Sequence, residues 1–379
     1  MSATDRDVDG RASVVASDLT VPEGLSQHSL RSRALLLAAV VVAVVAAVTL
    51  LPGLGELRSL LAHASPEWLL LGAGLKVLSG LGYVAVFRMV FCRRMSWRVS
   101  YQVGMSELGA NALFPTGGAG GLALGAWALK RGGMPGEEIA RRTVAFFLLT
   151  SVPNILGVII IGLGLASGVI PGESNLLLTL VPAIVAVLAI VGTLLAGRAA
   201  RRLQLRLQSG GKNAGSRRAR LVVKGLAAMG EGVDEALALL REGNGLLIGG
   251  LIAYLVFDIA ILWATFHAFG VAPSVAIMSI AYLLGELGGL IPVPGGIGGV
   301  DVGLIGALAL YGFALAPATA AVLAYRAIAL WVPTVLGALA FIALRRTLRE
   351  EADAIAVCTP PTEMEVIGLG RVMIETSAR

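Results

Sequence analysis

The chain has 379 residues, of which 56% are hydrophobic and only 14% are charged. A soluble domain carries about a quarter charged residues, so this balance excludes a soluble globular protein and defines a multi-span membrane protein. The formal net charge of +6 does not indicate a nucleic-acid partner, because the basic residues cluster between apolar runs, where orientation and anionic headgroups account for them.

Residues 1–30 are polar without apolar periodicity and read as a disordered cytoplasmic tail, too long and too acidic for a signal peptide's n-region. Arg31 and Arg33 precede an apolar run at 34–51 that is long enough to span. A short loop at 52–67 with one basic residue, Arg58, leads to a span at 68–91, which ends at Arg93, Arg94 and Arg98. The segment 100–114 is moderately apolar but holds Glu107 and Asn111. Pro115 and Gly117, Gly118, Gly120 and Gly121 break it, and 122–129 follows up to Lys130 and Arg131. Neither arm reaches the ~20 residues of a full span, so the pair predicts a re-entrant hairpin.

Spans at 143–166 and 176–197 come next. The basic loop at 198–245 contains an amphipathic stretch, 221–240, expected to lie along the membrane surface. A span at 246–269 precedes a second hairpin, with arms at 274–291 and 302–313 around a break carrying Pro292, Pro294, Gly295, Gly296, Gly298 and Gly299. Proline removes a backbone donor and glycine favours non-helical angles, so this stretch is not one regular helix. The last span, 318–344, ends at Arg345, Arg346 and Arg349, and a polar tail fills 350–379. Excess Lys and Arg place both termini and the basic loops in the cytoplasm.

Three sequence blocks recur at nearly one offset. Glu107-Leu-Gly matches Glu286-Leu-Gly at 179, the two GGxGG runs match at 178, and Val152-Pro-Asn-Ile-Leu-Gly matches Val332-Pro-Thr-Val-Leu-Gly at 180. The equivalent spans at 68–91 and 246–269 cross in opposite directions, so the copies, about 68–167 and 246–345, are inverted. The predicted fold is therefore an all-α polytopic membrane protein: six transmembrane helices plus two Pro/Gly-broken re-entrant hairpins in an inverted repeat. Broken helices that meet near the midplane in such repeats are a transporter architecture.

The block from Leu290 to Asp301, followed by Tyr325-Arg326 and Trp331-Val-Pro-Thr-Val-Leu-Gly337, resembles the lysylphosphatidylglycerol synthase transmembrane-region family, also called flippase-like domain proteins. The likeness runs from about residue 34 to 345. It implies movement of lipids between leaflets, with an anionic phospholipid or a polyprenyl-phosphate-linked headgroup as cargo. Two departures stand out: family members usually carry Glu where this chain has Asp301. The first copy reads Leu122-Ala123 and Ala145-Phe146-Phe147 where relatives often carry an acid and an Arg. The chain ends at Arg379 and leaves no room for a soluble aminoacyl-transfer domain, so synthase activity is not implied.

The candidate lipid- or headgroup-binding residues are Glu286, Pro294, Gly295, Gly296, Gly298, Gly299, Asp301, Tyr325 and Arg326 in the second copy. In the first copy they are Glu107, Asn111, Gly117, Gly118, Gly120 and Gly121. Arg326 reads either as a structural partner of Glu286 or Asp301, or as a ligand for a lipid phosphate, whose geometry a guanidinium matches. Glu107 and Glu286 read as caps of freed N–H groups or as acids that take a proton or a headgroup. Asp301 reads equally as a plain N-cap. The glycines read as close-packing sites or as an anion cradle at a helix N-terminus. Lys76 and Asp258, both inside spans, are candidates to pair. Two cysteines, Cys92 and Cys358, and three histidines form no disulfide framework or metal-ligand set, and no cofactor is expected. The expected role is lipid transport, not enzymatic. The rivals are a scaffold for a glycosyltransferase or lipid synthase, and a membrane-embedded transferase acting on a lipid-linked sugar.

Overall fold

Hydrocarbon gives a backbone no outside hydrogen-bond partner, so long apolar runs fold as helices. A computed structural model of the protein describes residues 55–113, 119–170, 176–209, 217–270, 273–288 and 299–350. The expected span at 34–51, both tails and the two breaks at 114–118 and 289–298 lie outside the described residues.

Eleven helices and no strand occur among the described residues: α1 (Gly55–Ala62), α2 (Pro66–Phe91), α3 (Trp97–Leu113), α4 (Ala119–Arg131), α5 (Gly136–Ala166), α6 (Leu176–Ser209), α7 (Arg217–Arg241), α8 (Gly245–Ala268), α9 (Val275–Gly288), α10 (Gly299–Leu310) and α11 (Leu315–Glu350). Five of them, α2, α5, α6, α8 and α11, are long and apolar enough to cross a membrane. Local chemistry sets their starts. Pro66 occupies the first turn of α2, where its missing N–H costs nothing. The Asn244 side chain caps α8 by accepting from the backbone N–H groups of Leu246 and Leu247. Helices α9 and α10 are shorter and apolar; at ~1.5 Å per residue they extend only about 18–21 Å, less than the ~30 Å hydrocarbon core.

The centre of the fold is the antiparallel pair α2 and α8. Ser65 N donates to Ala268 O at one end, Trp68 packs edge to face on Trp263 and tilted against His267 just inside it, and Lys76 meets Asp258 further along. Beyond that point the backbones touch. A Cβ on Gly82 would lie 2.9 Å from Gly250 O, and one on Gly250 would lie 3.0 Å from Gly82 O. A second close crossing joins α3 to α11, where Gly109 and Gly337 face each other. Small residues permit such approach, and dispersion between backbones then holds membrane helices together.

Two short antiparallel helix pairs flank this centre. Helix α4 folds back along α3, with Gly121 against Asn111 and Gly125 against Glu107. Helix α10 folds back along α9, with Gly303 and Leu304 against Gly285. The pairs open at opposite ends of the molecule. Met95, Val99, Leu129 and Met134, at the open end of α3–α4, share one apolar core with Phe91, Leu239 and Leu247. Met278, Leu308 and Tyr311, at the open end of α9–α10, share the other with Phe266 and Ala318.

The basic end differs from the sequence expectation. Residues 198–245 are largely helical, since α6 runs on to Ser209 and α7 fills Arg217–Arg241. Helix α7 packs against α5 and α6 as a third helix. Glu235 pairs with Arg141 at 2.7 Å, and Asp234 pairs with Arg201. The helix periodicity was legible, but these partners lie on distant segments. Arg88 stays anchored at this end, donating from Nε to Met95 O at 2.8 Å beneath the Trp97 ring. Cys92 is held in a disulfide and is not a free thiol.

Candidate functional site

Five helices bring charged side chains into the interior. Helix α2 contributes Lys76 and Ser79, α8 contributes Tyr254 and Asp258, α9 contributes Tyr282 and Glu286, α10 contributes Asp301, and α11 contributes Tyr325 and Arg326. Spacing explains the shared faces, because residues three or four apart on a helix lie on one side. Tyr282 and Glu286 are such a pair, as are Lys76 with Ser79 and Tyr254 with Asp258.

The first ion pair is sealed. Lys76 Nζ donates to Asp258 Oδ1 at 2.7 Å, and the two residues are 8% and 5% exposed. Ser79 Oγ donates to the same oxygen at 2.8 Å, while Tyr282 OH reaches Oδ2 at 3.4 Å. A buried charge pair survives only when its remaining hydrogen-bonding capacity is also met, and Ser79 and Tyr282 meet it here. Lys76 and Asp258 thus pair, one of the readings open from sequence.

The second ion pair is more open. Arg326 Nε donates to Asp301 Oδ1 at 2.7 Å, with side chains 22% and 16% exposed. Asp301 sits in the first turn of α10, so it meets both the positive end of that helix and the guanidinium. Tyr282 and Tyr325 join the two pairs, their rings packed edge to face at 6.1 Å. Glu286 is half-buried between the pairs and feels the charges of Asp258, Arg326, Lys76 and Asp301. Three carboxylates therefore share the site with two cations, and Glu286 is the acid in excess.

The residues predicted in the first copy form a separate cluster between α3 and α4. Asn111 Oδ1 accepts from Gly121 N at 2.8 Å, so it ties the start of α4 to α3; a Cβ on Gly121 would collide with that same oxygen. Glu107 lies inside this helix pair. It is 1% exposed, its Oε2 has no hydrogen-bond partner, and it lies against the bare Cα of Gly125. The residues 180 positions before Tyr325-Arg326 are Ala145-Phe146. Phe146 packs with Tyr83, Phe87 and Phe91 at 5.1, 6.1 and 5.7 Å, so it belongs to an aromatic cluster and not to an ion pair.

Glu286, Asp301, Tyr325 and Arg326 are thus brought together, while Glu107, Asn111, Gly120 and Gly121 belong to the other helix pair. Gly299 begins α10. Gly117, Gly118, Pro294, Gly295, Gly296 and Gly298 lie outside the described residues. Sequence reasoning missed Ser79, Tyr254 and Tyr282. Their signal was present, since each lies three or four residues from a charged residue already singled out on its helix.

These features define a polytopic helical membrane protein with a charged site between a short helix pair and a long span. The chain belongs to the lysylphosphatidylglycerol synthase TM region family, whose model matches residues 35–337. No curated protein matches the chain, and no solved structure does.

Proposed function

We propose that this protein binds the phosphate of an anionic phospholipid, or of a polyprenyl-phosphate-linked headgroup, at the Asp301–Arg326 pair and helps the lipid cross the cytoplasmic membrane. The observation that carries the reading is that pair: a partly open guanidinium held by a carboxylate at 2.7 Å, beside the excess acid Glu286. A guanidinium is a fork of donors that matches phosphate. Exchange of the Asp301 carboxylate for a phosphate keeps Arg326 paired throughout, which avoids the cost of a lone buried charge.

The helix arrangement supports transport over a static role. If α2, α3, α4 and α5 are matched with α8, α9, α10 and α11, each packed pair has its exchanged counterpart. The packing of α3 on α11 answers that of α9 on α5, and α4 on α5 answers α10 on α11. Together with antiparallel α2 and α8 and helix pairs that open at opposite ends, this is the pattern an inverted repeat generates. In this reading both hairpins are re-entrant, and the termini and basic loops face the cytoplasm. The role is transport, not catalysis, with membrane lipids as the partners.

The test is lipid movement in reconstituted vesicles. Arg326→Ala and Glu286→Gln should each slow the movement of a labelled anionic phospholipid while leaving the helical content of the purified protein intact. Wild-type rates in both variants would overturn the site.

A further inference from the structure

The Lys76–Asp258 pair lies at a special place in the fold. Residues 79 and 258 are separated by 179 positions, the same offset that relates Glu107 to Glu286. These equivalent positions meet directly, with Ser79 Oγ donating to Asp258 Oδ1 at 2.8 Å. Only residues beside a two-fold relation between the copies can touch their own equivalents. The pair therefore marks the line about which the two halves of the molecule are related, at the crossing of α2 and α8.

Asp258, on α8, links two other helices at once. It holds Lys76 and Ser79 of α2 through Oδ1 and reaches Tyr282 of α9 through Oδ2. Tyr282 lies one turn before Glu286 on the same helix face and packs on Tyr325, the neighbour in sequence of Arg326. The geometry points to Asp258 and Tyr282 as positioning residues: an axial lock at the α2–α8 crossing that sets α9, and with it Glu286, against the Asp301–Arg326 pair. The lock rests on the headgroup site proposed above and adds what orients it. In the first helix pair Val103 stands at the position matching Tyr282 and is wholly buried in apolar packing; the tie to α2 there is the side-chain hydrogen bond between Tyr83 and Glu107. The two helix pairs are thus tied to the centre at different positions, and only the second through Asp258.

Tyr282→Phe removes the hydroxyl but retains the ring that packs on Tyr325, so the variant should fold. Two measurements decide the role. Hydrogen exchange of the amides of 275–288 in the detergent-purified protein should quicken about three- to tenfold, the ratio expected for one lost hydrogen bond, while 246–268 remains unchanged. Unchanged exchange over 275–288 overturns the lock. Half-saturation by fluorescent phosphatidylglycerol in uncharged micelles should rise by a similar factor, with the same binding capacity. Faster exchange with an unaltered half-saturation makes Tyr282 a packing residue only and also overturns the proposal. Wild-type protein that binds no phosphatidylglycerol counts against that lipid as the headgroup source, whereas the exchange result still decides the lock.

Discussion

Replacing Gly337 with alanine should separate α3 from α11. A Cβ built on Gly337 lies 2.6 Å from Met105 O and 2.7 Å from Gly109 Cα. Ordinary contact begins at 3.4 Å, so the two backbones must part by about 0.8 Å, the difference between 3.4 and 2.6. Both obstructing atoms are backbone, and no rotamer change relieves them. Overpacking of this kind costs about 1–3 kcal/mol. The control is Gly249→Ala on α8, where an added Cβ meets nothing within 4 Å. An alanine in a helix interior gains up to ~1 kcal/mol over glycine at either site, so that gain cancels and the overpacking alone should put the variants about 1–3 kcal/mol apart. Thermal unfolding of the two purified proteins in one detergent measures the gap. Gly337→Ala as stable as Gly249→Ala would refute the close crossing, and with it the contact through which α11 carries Arg326 past the first helix pair.

Other outcomes follow from the buried polar groups. Lys76→Met leaves Asp258 without its cation and should cost about 3–5 kcal/mol, whereas Lys76→Met with Asp258→Leu should regain most of that. A double variant no more stable than the single would show that Lys76 does not neutralise Asp258. Gly125→Ala sets a Cβ 3.0 Å from Glu107 Oε2, so its penalty should largely vanish in a Glu107→Ala background. The coupling in that cycle should reach about 0.5–3 kcal/mol, and additive effects would count against the contact.

Much of the architecture was legible because hydrocarbon forces it. The spans at 68–91 and 318–344 fall within α2 (Pro66–Phe91) and α11 (Leu315–Glu350), and 246–269 matches α8 (Gly245–Ala268) to one residue at each end, since each is a long apolar run. Helix ends in water were less legible: α5 starts at Gly136, before the run expected from 143, because Glu138 and Arg142 pair at 2.6 Å along its first turns. The site was legible in charges and not in hydroxyls. An aspartate or arginine inside a span is anomalous on its face, whereas Ser79 and Tyr282 look ordinary until Asp258 is seen beside them. Asn111 shows a further gap, because its role depends on Gly121 N, which only the folded helix pair brings within 2.8 Å.

Transbilayer movement of fluorescent phosphatidylglycerol in vesicles carrying the purified wild-type protein decides whether the protein moves this lipid. Movement should run well above that of protein-free vesicles of the same composition and fall clearly with Arg326→Lys, which keeps the charge beside Asp301 but loses the fork that fits phosphate. Equal rates with and without protein would contradict the proposed role.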